Sequence, residues 1–337
     1  MASKQSSPHK VAAVLGAGRF GTAVANLVAP NVERLFLYAH RAEQACAWQA
    51  SRRVGDVPLA ANVVVSNDLE MVLRICSVIF PVVPAAQFRG LMQQIAPAIR
   101  PDHLLIHGTK GLHIYEDGDL PFAQSVATMS RVMVQETKVQ AVGCLAGPNL
   151  SAELAQKHPA VAVVASASRK VLAVGEQLLT NPWFRVYTSV NLNGVEMCNV
   201  LKNIFAIGAG IIGGMGYGAN TYAFFITMAI SEMDCIMAAT GTPSNGLLGP
   251  AGLGDLIATC GSTTSRNYTI GYRLAKGEQL TDILKDVKGV SEGVQTVQTI
   301  CAVMQSYGKQ APITEAIYRM LFEELPVQKG LDVMLGG

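Results

Sequence analysis

Val11–Leu15, VAAVL, runs straight into Gly16-Ala17-Gly18-Arg19-Phe20-Gly21, and helical periodicity follows from about Thr22. A short apolar run, a G-x-G-x-x-G turn and a helix in that order constrain a chain more than any other feature here. In this arrangement the first glycine makes a tight turn and the second lets backbone approach a pyrophosphate. The third lets helix and strand pack closely. The helix N-terminus then offers free N–H groups and a partial positive charge to the phosphates. The expectation is a parallel sheet that binds a dinucleotide at the first turn, with Gly16, Gly18 and Gly21 on the cofactor.

The rest of the first half agrees with that start. RLFLYAH, SVIFPVVP, HLLIHGT, AVAVVAS and FRVYTS read as further strands, with helical stretches between them, for example around Ala85–Ala98. Alternation of this kind predicts a doubly wound α/β sheet. Pro81 is awkward, because a central strand needs every N–H it can donate. From about Asn193 strand signals stop and long helical stretches take over. The expected organisation is a Rossmann-type dinucleotide-binding domain over 1–190 and an all-α substrate and catalytic domain over 191–337.

Residues 204–231 carry no charge and could span a bilayer by length. Gly210 and Gly214 even have the spacing of a membrane-helix dimer. Six glycines interrupt the run, however, and GGMGYGAN is expected to divide it into two buried core helices, each too short to span. The polar N-terminus MASKQSSPHK does not read as a signal peptide. Half the residues are hydrophobic and 15% are charged, with a net charge of +2 and no basic block, which gives no footprint for nucleic acid. The seven cysteines are scattered without a Cys-x-x-Cys pair, so no metal site is suggested and reduced thiols in a cytoplasmic protein are expected.

At the end of the second strand, His40 and Arg41 stand where a ribose-binding carboxylate usually sits. A carboxylate there repels a 2′-phosphate and a basic residue attracts it, so NADPH is expected to be at least tolerated beside NADH. All six histidines fall in the first half. A proton donor from the helical half must therefore come from Lys202, Asp255, Glu196, Glu232, Asp234 or a tyrosine. Lys202 is the only basic residue between Arg185 and Arg266, and burial lowers a lysine pKa toward the range where proton transfer is efficient. Asn199, Lys202 and Asn203 form one polar stripe at i, i+3 and i+4. The plainer alternative is a lysine that snorkels to the surface.

Asp255 closes the glycine-rich GPAGLGD, where it reads either as a helix N-cap or as a site carboxylate. Arg266-Asn267 suits a phosphate dianion, which arginine grips with two parallel hydrogen bonds; an exposed loop arginine is the alternative. Lys110 in HGTKGL, and Asn149 and Ser151 in AGPNLS, follow strand ends, the edge where such sheets bind ligands.

Together these segments resemble the NAD(P)-dependent glycerol-3-phosphate dehydrogenase family of the bacterial biosynthetic type. GAGRFGTAVA, VVP at 82–84, GTKGL, AGPN, the GVE segment with LKNIFAIGAGIIGGMGYGANT, SEM, GPAGLGDLIATC, SRN, VSEGVQT and PITEAIY occur in the family's order from Gly16 to about Tyr318. The resemblance implies interconversion of dihydroxyacetone phosphate and sn-glycerol 3-phosphate, feeding phospholipid synthesis. It implies Lys202 as proton donor, with Lys110 and Asp255 as catalytic partners. Gly147, Asn149, Ser265, Arg266 and Asn267 would hold or line the substrate. Arg19, Phe20, His40, Lys110, Ser151, Arg266, Val290 and Glu292 would contact the cofactor. Arg19-Phe20 stands where the family often has serine-tryptophan, Asn191 where it has aspartate, and 51–65 lacks the usual leucine-proline-glycine.

The competing readings are a reductase of another small 2-keto acid such as ketopantoate, a nucleotide-sensing protein without turnover, and an integral membrane protein. The expected partners are a small-molecule substrate and, through the apolar helical domain, a second copy in a homodimer.

Overall fold

The structure is a computed structural model that describes residues 10–115, 122–287 and 292–336. The chain divides into two units, Met1–Thr109 with Met129–Leu192, and Lys110–Thr128 with Asn193–Gly337. Residues 110–128 therefore join the helical unit although they lie within the first half of the sequence.

The first unit is built on an eight-stranded sheet: β1 (Val11–Leu15), β2 (Arg34–Tyr38), β3 (Val63–Ser66), β4 (Val78–Pro81), β5 (Leu104–His107), β6 (Val142–Ala146), β7 (Ala160–Ala165) and β8 (Phe184–Ser189). Their spatial order is β8-β7-β6-β5-β4-β1-β2-β3, and only the β6–β7 pairing is antiparallel. The part β3-β2-β1-β4-β5-β6 is the dinucleotide-binding order, in which the chain reverses direction across the sheet between β1 and β4. Strands buried on both faces need continuous apolar runs, and β1, β4, β5 and β6 are almost wholly buried along their length.

Pro81 is tolerated because it ends β4. The regular β4–β5 pairing ends at Ile79 opposite Leu105, and only the donor of Pro81 itself is lost, since its carbonyl still accepts from Gly108 N at 3.0 Å. The segment 51–65 is held by its own chemistry. Arg52 adopts a left-handed backbone (φ 56°) after helix α2 (Ala42–Ser51) and donates to the carbonyls of Ala60, Ala61 and Val63. Asn26, from helix α1 (Arg19–Val28), clamps the far side: its Nδ2 donates to Pro58 O, and its Oδ1 accepts from Ala60 N.

Among the described residues, the second unit is helical apart from the antiparallel pair Leu112–Ile114 and Val126–Thr128. The helices that matter for the site are α3 (Leu192–Gly214), α4 (Ala219–Ala239), α5 (Asp255–Cys260), α6 (Arg266–Ala275), α7 (Glu292–Ser306) and α8 (Pro312–Phe322). The break at GGMGYGAN falls where the glycines place it, but the helices on either side are 23 and 21 residues long, not too short to span. They extend beyond the uncharged run and take in Glu196, Lys202, Glu232 and Asp234. The apolar window of α3 is 100% buried inside the protein, whereas that of α4 is 39% buried.

Close contact between α3 and α6 depends on glycine. A Cβ on Gly271 would strike the carbonyl of Ile207, and one on Gly210 would lie 2.9 Å from Tyr272 N. Gly210 and Gly214, which suggest a membrane pairing motif by spacing, form this intramolecular seam.

Candidate active site

Gly16 follows β1 with φ +116°, and a Cβ there would sit 2.9 Å from both the Val82 carbonyl carbon and a Val83 methyl just past the end of β4. A Cβ on Gly21 would collide with Gly16 O. These two glycines are demanded by the turn itself. Gly18 differs: it has nothing within 4 Å of an added Cβ, so the space beside it is open. Helix α1 begins at Arg19, three residues earlier than periodicity indicates, with no side-chain cap and no acidic residue in its first turn. An open glycine beside a helix start without a capping side chain fits a pyrophosphate.

Arg19, His40 and Arg41 are exposed, and Phe20 is half-buried with its ring edge against Gly108. Arg41 occupies the N-cap position of α2 without a side-chain cap bond. Gly147 (φ +127°) turns the chain after β6, and Ser151 opens the helix Ser151–Ala155. Asn149 is 5% exposed, and neither atom of its carboxamide has a hydrogen-bond partner. A buried amide in that state lacks up to four hydrogen bonds, which a ligand can supply.

In the second unit the structure brings Lys202, Asp255 and Lys110 together. Lys202 is 1% exposed, which rules out the snorkelling alternative, and its Nζ donates to Asp255 Oδ2. Burial lowers the lysine pKa to about 7; the charge of Lys110 pushes the same way and Asp255 opposes both. Asp255 is not a side-chain N-cap. A single π-type turn, Pro250–Gly254, leads into α5 and the N-cap position falls on Gly254. The carboxylate is thereby free to reach Lys202 with one oxygen and to accept from Thr259 Oγ1, one turn on, with the other at 3.3 Å. Two buried thiols interact electrostatically with this pair, Cys198 with Asp255 and Cys260 with both members; burial raises both thiol pKa values, so neither adds a negative charge.

Arg266 and Asn267 form the first turn of α6, capped by Ser265, whose Oγ accepts from Tyr268 N at 3.5 Å. Arg266 is exposed and Asn267 is buried. The Asn267 amide is fixed from both ends: Nδ2 donates to Asn203 Oδ1 at 3.1 Å, and Oδ1 accepts from Gly293 N at 3.3 Å. Gly293 adjoins Glu292, the first residue of α7, so a cofactor candidate and a substrate candidate are linked through one backbone N–H. Val290, the other cofactor candidate of that segment, lies outside the described residues.

Sequence reasoning assigned no role to Asn203 or Thr259. Both were recoverable in principle, Asn203 from its place in the polar stripe and Thr259 from its i+4 relation to Asp255. Glu232 leaves the set of proton donors: its carboxylate accepts from Ile313 N, Thr314 N and Thr314 Oγ1 at 2.6–2.9 Å, pinning the start of α8. Asp234 is exposed on α4.

A buried ammonium of lowered pKa, a carboxylate to aim it and an arginine-asparagine pair at a helix start equip this unit for proton transfer on a small anionic substrate. Residues 11–172 match the family described as NAD-dependent glycerol-3-phosphate dehydrogenase N-terminus, and 191–332 match the corresponding C-terminus. The chain belongs to the NAD-dependent glycerol-3-phosphate dehydrogenase family. Glycerol-3-phosphate dehydrogenase (NAD(P)+) of Geobacter metallireducens is 34% identical over 94% of each chain. The crystal structure of the Coxiella burnetii glycerol-3-phosphate dehydrogenase superposes with a TM-score of 0.88 at 28% identity, covering 98% of this chain and 99% of the other. A ketopantoate reductase from Ralstonia eutropha shares the fold alone, with a TM-score of 0.58 at 15% identity over 96% of this chain and 99% of its own. As a member of the glycerol-3-phosphate dehydrogenase family, this protein is an NAD(P)-dependent oxidoreductase with a small-molecule substrate.

Proposed function

We infer that the protein reduces dihydroxyacetone phosphate to sn-glycerol 3-phosphate, reversibly, and so supplies glycerol phosphate for phospholipid synthesis. The observation that carries this reading is the buried ion pair of Lys202 and Asp255, in which burial lowers the lysine pKa to about 7.

Gly16, Gly18, Arg19, Phe20 and Gly21 would hold the cofactor at the first turn, with His40 and Arg41 toward its adenosine end and Lys110, Ser151, Arg266, Val290 and Glu292 completing its contacts. When bound, the nicotinamide supplies a hydride to C2 of the substrate. Arg266 and Asn267, capped by Ser265, would grip the substrate phosphate, Gly147 would line the substrate, and this distal anchor would orient the reacting carbon. Negative charge grows on the C2 oxygen, and Lys202 neutralises it by giving up a proton from Nζ. Asp255 keeps that ammonium in line and supports its protonated form against the surrounding burial. Lys110 and Asn149 add donors to the same oxygen. In the reverse direction the neutral Lys202 amine takes the proton from the C2 hydroxyl.

The basic pair His40–Arg41 favours use of NADPH beside NADH. We further propose a cytoplasmic homodimer without a membrane span. The seven free cysteines suit a reducing compartment. The apolar window of α3 is spent on the protein's own core, and the half-exposed Phe224 on α4 suits a second copy.

The experiment is the loss of reduced nicotinamide absorbance when dihydroxyacetone phosphate is added to enzyme with NADPH or NADH, run beside ketopantoate. Turnover of ketopantoate in preference to dihydroxyacetone phosphate would replace this reading with that of a keto-acid reductase.

A further inference from the structure

The stripe Asn199, Lys202, Asn203 on α3 is only partly accounted for. Lys202 turns to Asp255 and Asn203 to Asn267. Asn199 lies one turn earlier, and at about 100° per residue its side chain projects between theirs. It is 1% exposed, and its Oδ1 has no hydrogen-bond partner. Asparagine is a poor helix former, and a buried carbonyl oxygen without a donor costs stability, so nothing about folding favours this residue here.

The neighbouring acceptors are already engaged. The two oxygens of Asp255 take Lys202 Nζ and Thr259 Oγ1, and Asn203 Oδ1 takes Asn267 Nδ2. Glu196 stands six residues before Lys202, about 9 Å along the helix axis and beyond the reach of a three-carbon substrate held at that lysine. Asn199 is three residues away, about 4.5 Å along the axis, which is within reach.

We propose that Asn199 determines specificity by accepting a hydrogen bond from the substrate's C1 hydroxyl. This rests on dihydroxyacetone phosphate being the substrate. That molecule carries three functional groups on three carbons: a phosphate ester at C3, a carbonyl at C2 and a single hydroxyl donor at C1. The α3 stripe offers three corners to match. Asn203 steadies the phosphate-binding amide, Lys202 serves the carbonyl oxygen, and Asn199 supplies an acceptor for the hydroxyl. A buried acceptor discriminates strongly, because an analogue without the hydroxyl leaves it unpaired.

The test compares dihydroxyacetone phosphate with hydroxyacetone phosphate, its 1-deoxy analogue, in the wild type, Asn199→Leu and Asn199→Ala. The expected result is that kcat/KM for dihydroxyacetone phosphate falls about tenfold or more in both variants while that for the deoxy analogue stays within about twofold, so discrimination collapses. Asn199→Ala is read alone if the leucine variant fails to fold. Equal loss on both substrates overturns the proposal, as does a rise confined to the KM for NADPH, which would assign the amide to the nicotinamide carboxamide. Wild-type enzyme inert toward dihydroxyacetone phosphate would instead remove the functional reading on which the proposal stands.

Discussion

Asp255→Asn separates aiming from proton donation better than any change at the lysine itself. The substitution keeps the size of the side chain and leaves an oxygen for Thr259, but removes the charge facing the Lys202 ammonium. Of the influences on that lysine, only Asp255 raises its pKa; burial and Lys110 lower it. An opposite charge at this range is worth about 1–3 pKa units, so the variant's lysine should fall from about 7 to about 5. At pH 7.5 roughly a quarter of wild-type amines are protonated, against roughly 0.3% in the variant, a loss of about 80-fold in the proton-donating form. At pH 5.5 the two fractions differ only about fourfold, because the wild type is already saturated. The sign follows from the role: reduction needs the ammonium and declines as pH rises through the lowered pKa, whereas oxidation of glycerol phosphate needs the neutral amine and improves. Single-turnover oxidation of NADPH with dihydroxyacetone phosphate, followed from pH 5.5 to 8.5, reads the chemical step without product release. Lys202→Ala provides the floor, at least ~100-fold down with no recovery at acid pH. A wild-type-to-Asp255→Asn ratio that stays constant across pH would refute the argument, since it would mean Asp255 does not set the proton affinity of Lys202.

Three further substitutions test the frame around the site. Gly18→Ala fills open space, so the urea unfolding midpoint should stay near wild type while the dissociation constant for NADPH rises about tenfold or more through obstruction of the pyrophosphate approach. Gly271→Ala drives a methyl into the Ile207 carbonyl on α3 and should cost about 1–3 kcal/mol or more by urea denaturation. Glu232→Gln turns one acceptor atom into a donor facing backbone N–H groups at the start of α8, and should lower unfolding free energy by about 1–3 kcal/mol with the NADPH dissociation constant unchanged.

Most of the strands and the glycine turn were legible because their causes are local: apolar runs, turn residues and a backbone that must approach phosphate. Lys202 was legible because a lone charge in a long apolar segment is costly unless it has work to do. The uncharged run underestimates the helix lengths, because a helix can include a few charges that find buried partners, as Lys202 and Glu232 do. Pro81 is a smaller difficulty than it reads, since it falls on the last residue of its strand, an end that the strand's own sequence does not reveal. The use of Asp255 as cap or counter-ion could not be decided from its own segment. It turns on a π-type turn that shifts the cap to Gly254, and on a partner 53 residues away. The Asn203–Asn267–Gly293 chain spans three helices for the same reason.

The hydropathy that makes α3 pass for a membrane span and the chemistry assigned to Lys202 have one physical origin. A lysine keeps a pKa near 7 only while its surroundings stay poor in water and polar groups, so the helix that carries it must be apolar around most of its circumference. A helix buried on all sides also needs neighbours that approach closely, and the seam of Gly210 and Gly214 against Tyr268, Gly271 and Tyr272 of α6 supplies one. Because Arg266 and Asn267 form the first turn of α6, that seam also sets the distance between the lysine and the two residues proposed to grip the phosphate. A side chain inserted there would therefore disturb substrate alignment before it touched either group directly. The small residues of α3 are thus part of the proposed active-site geometry, and their spacing follows from how near α6 must come.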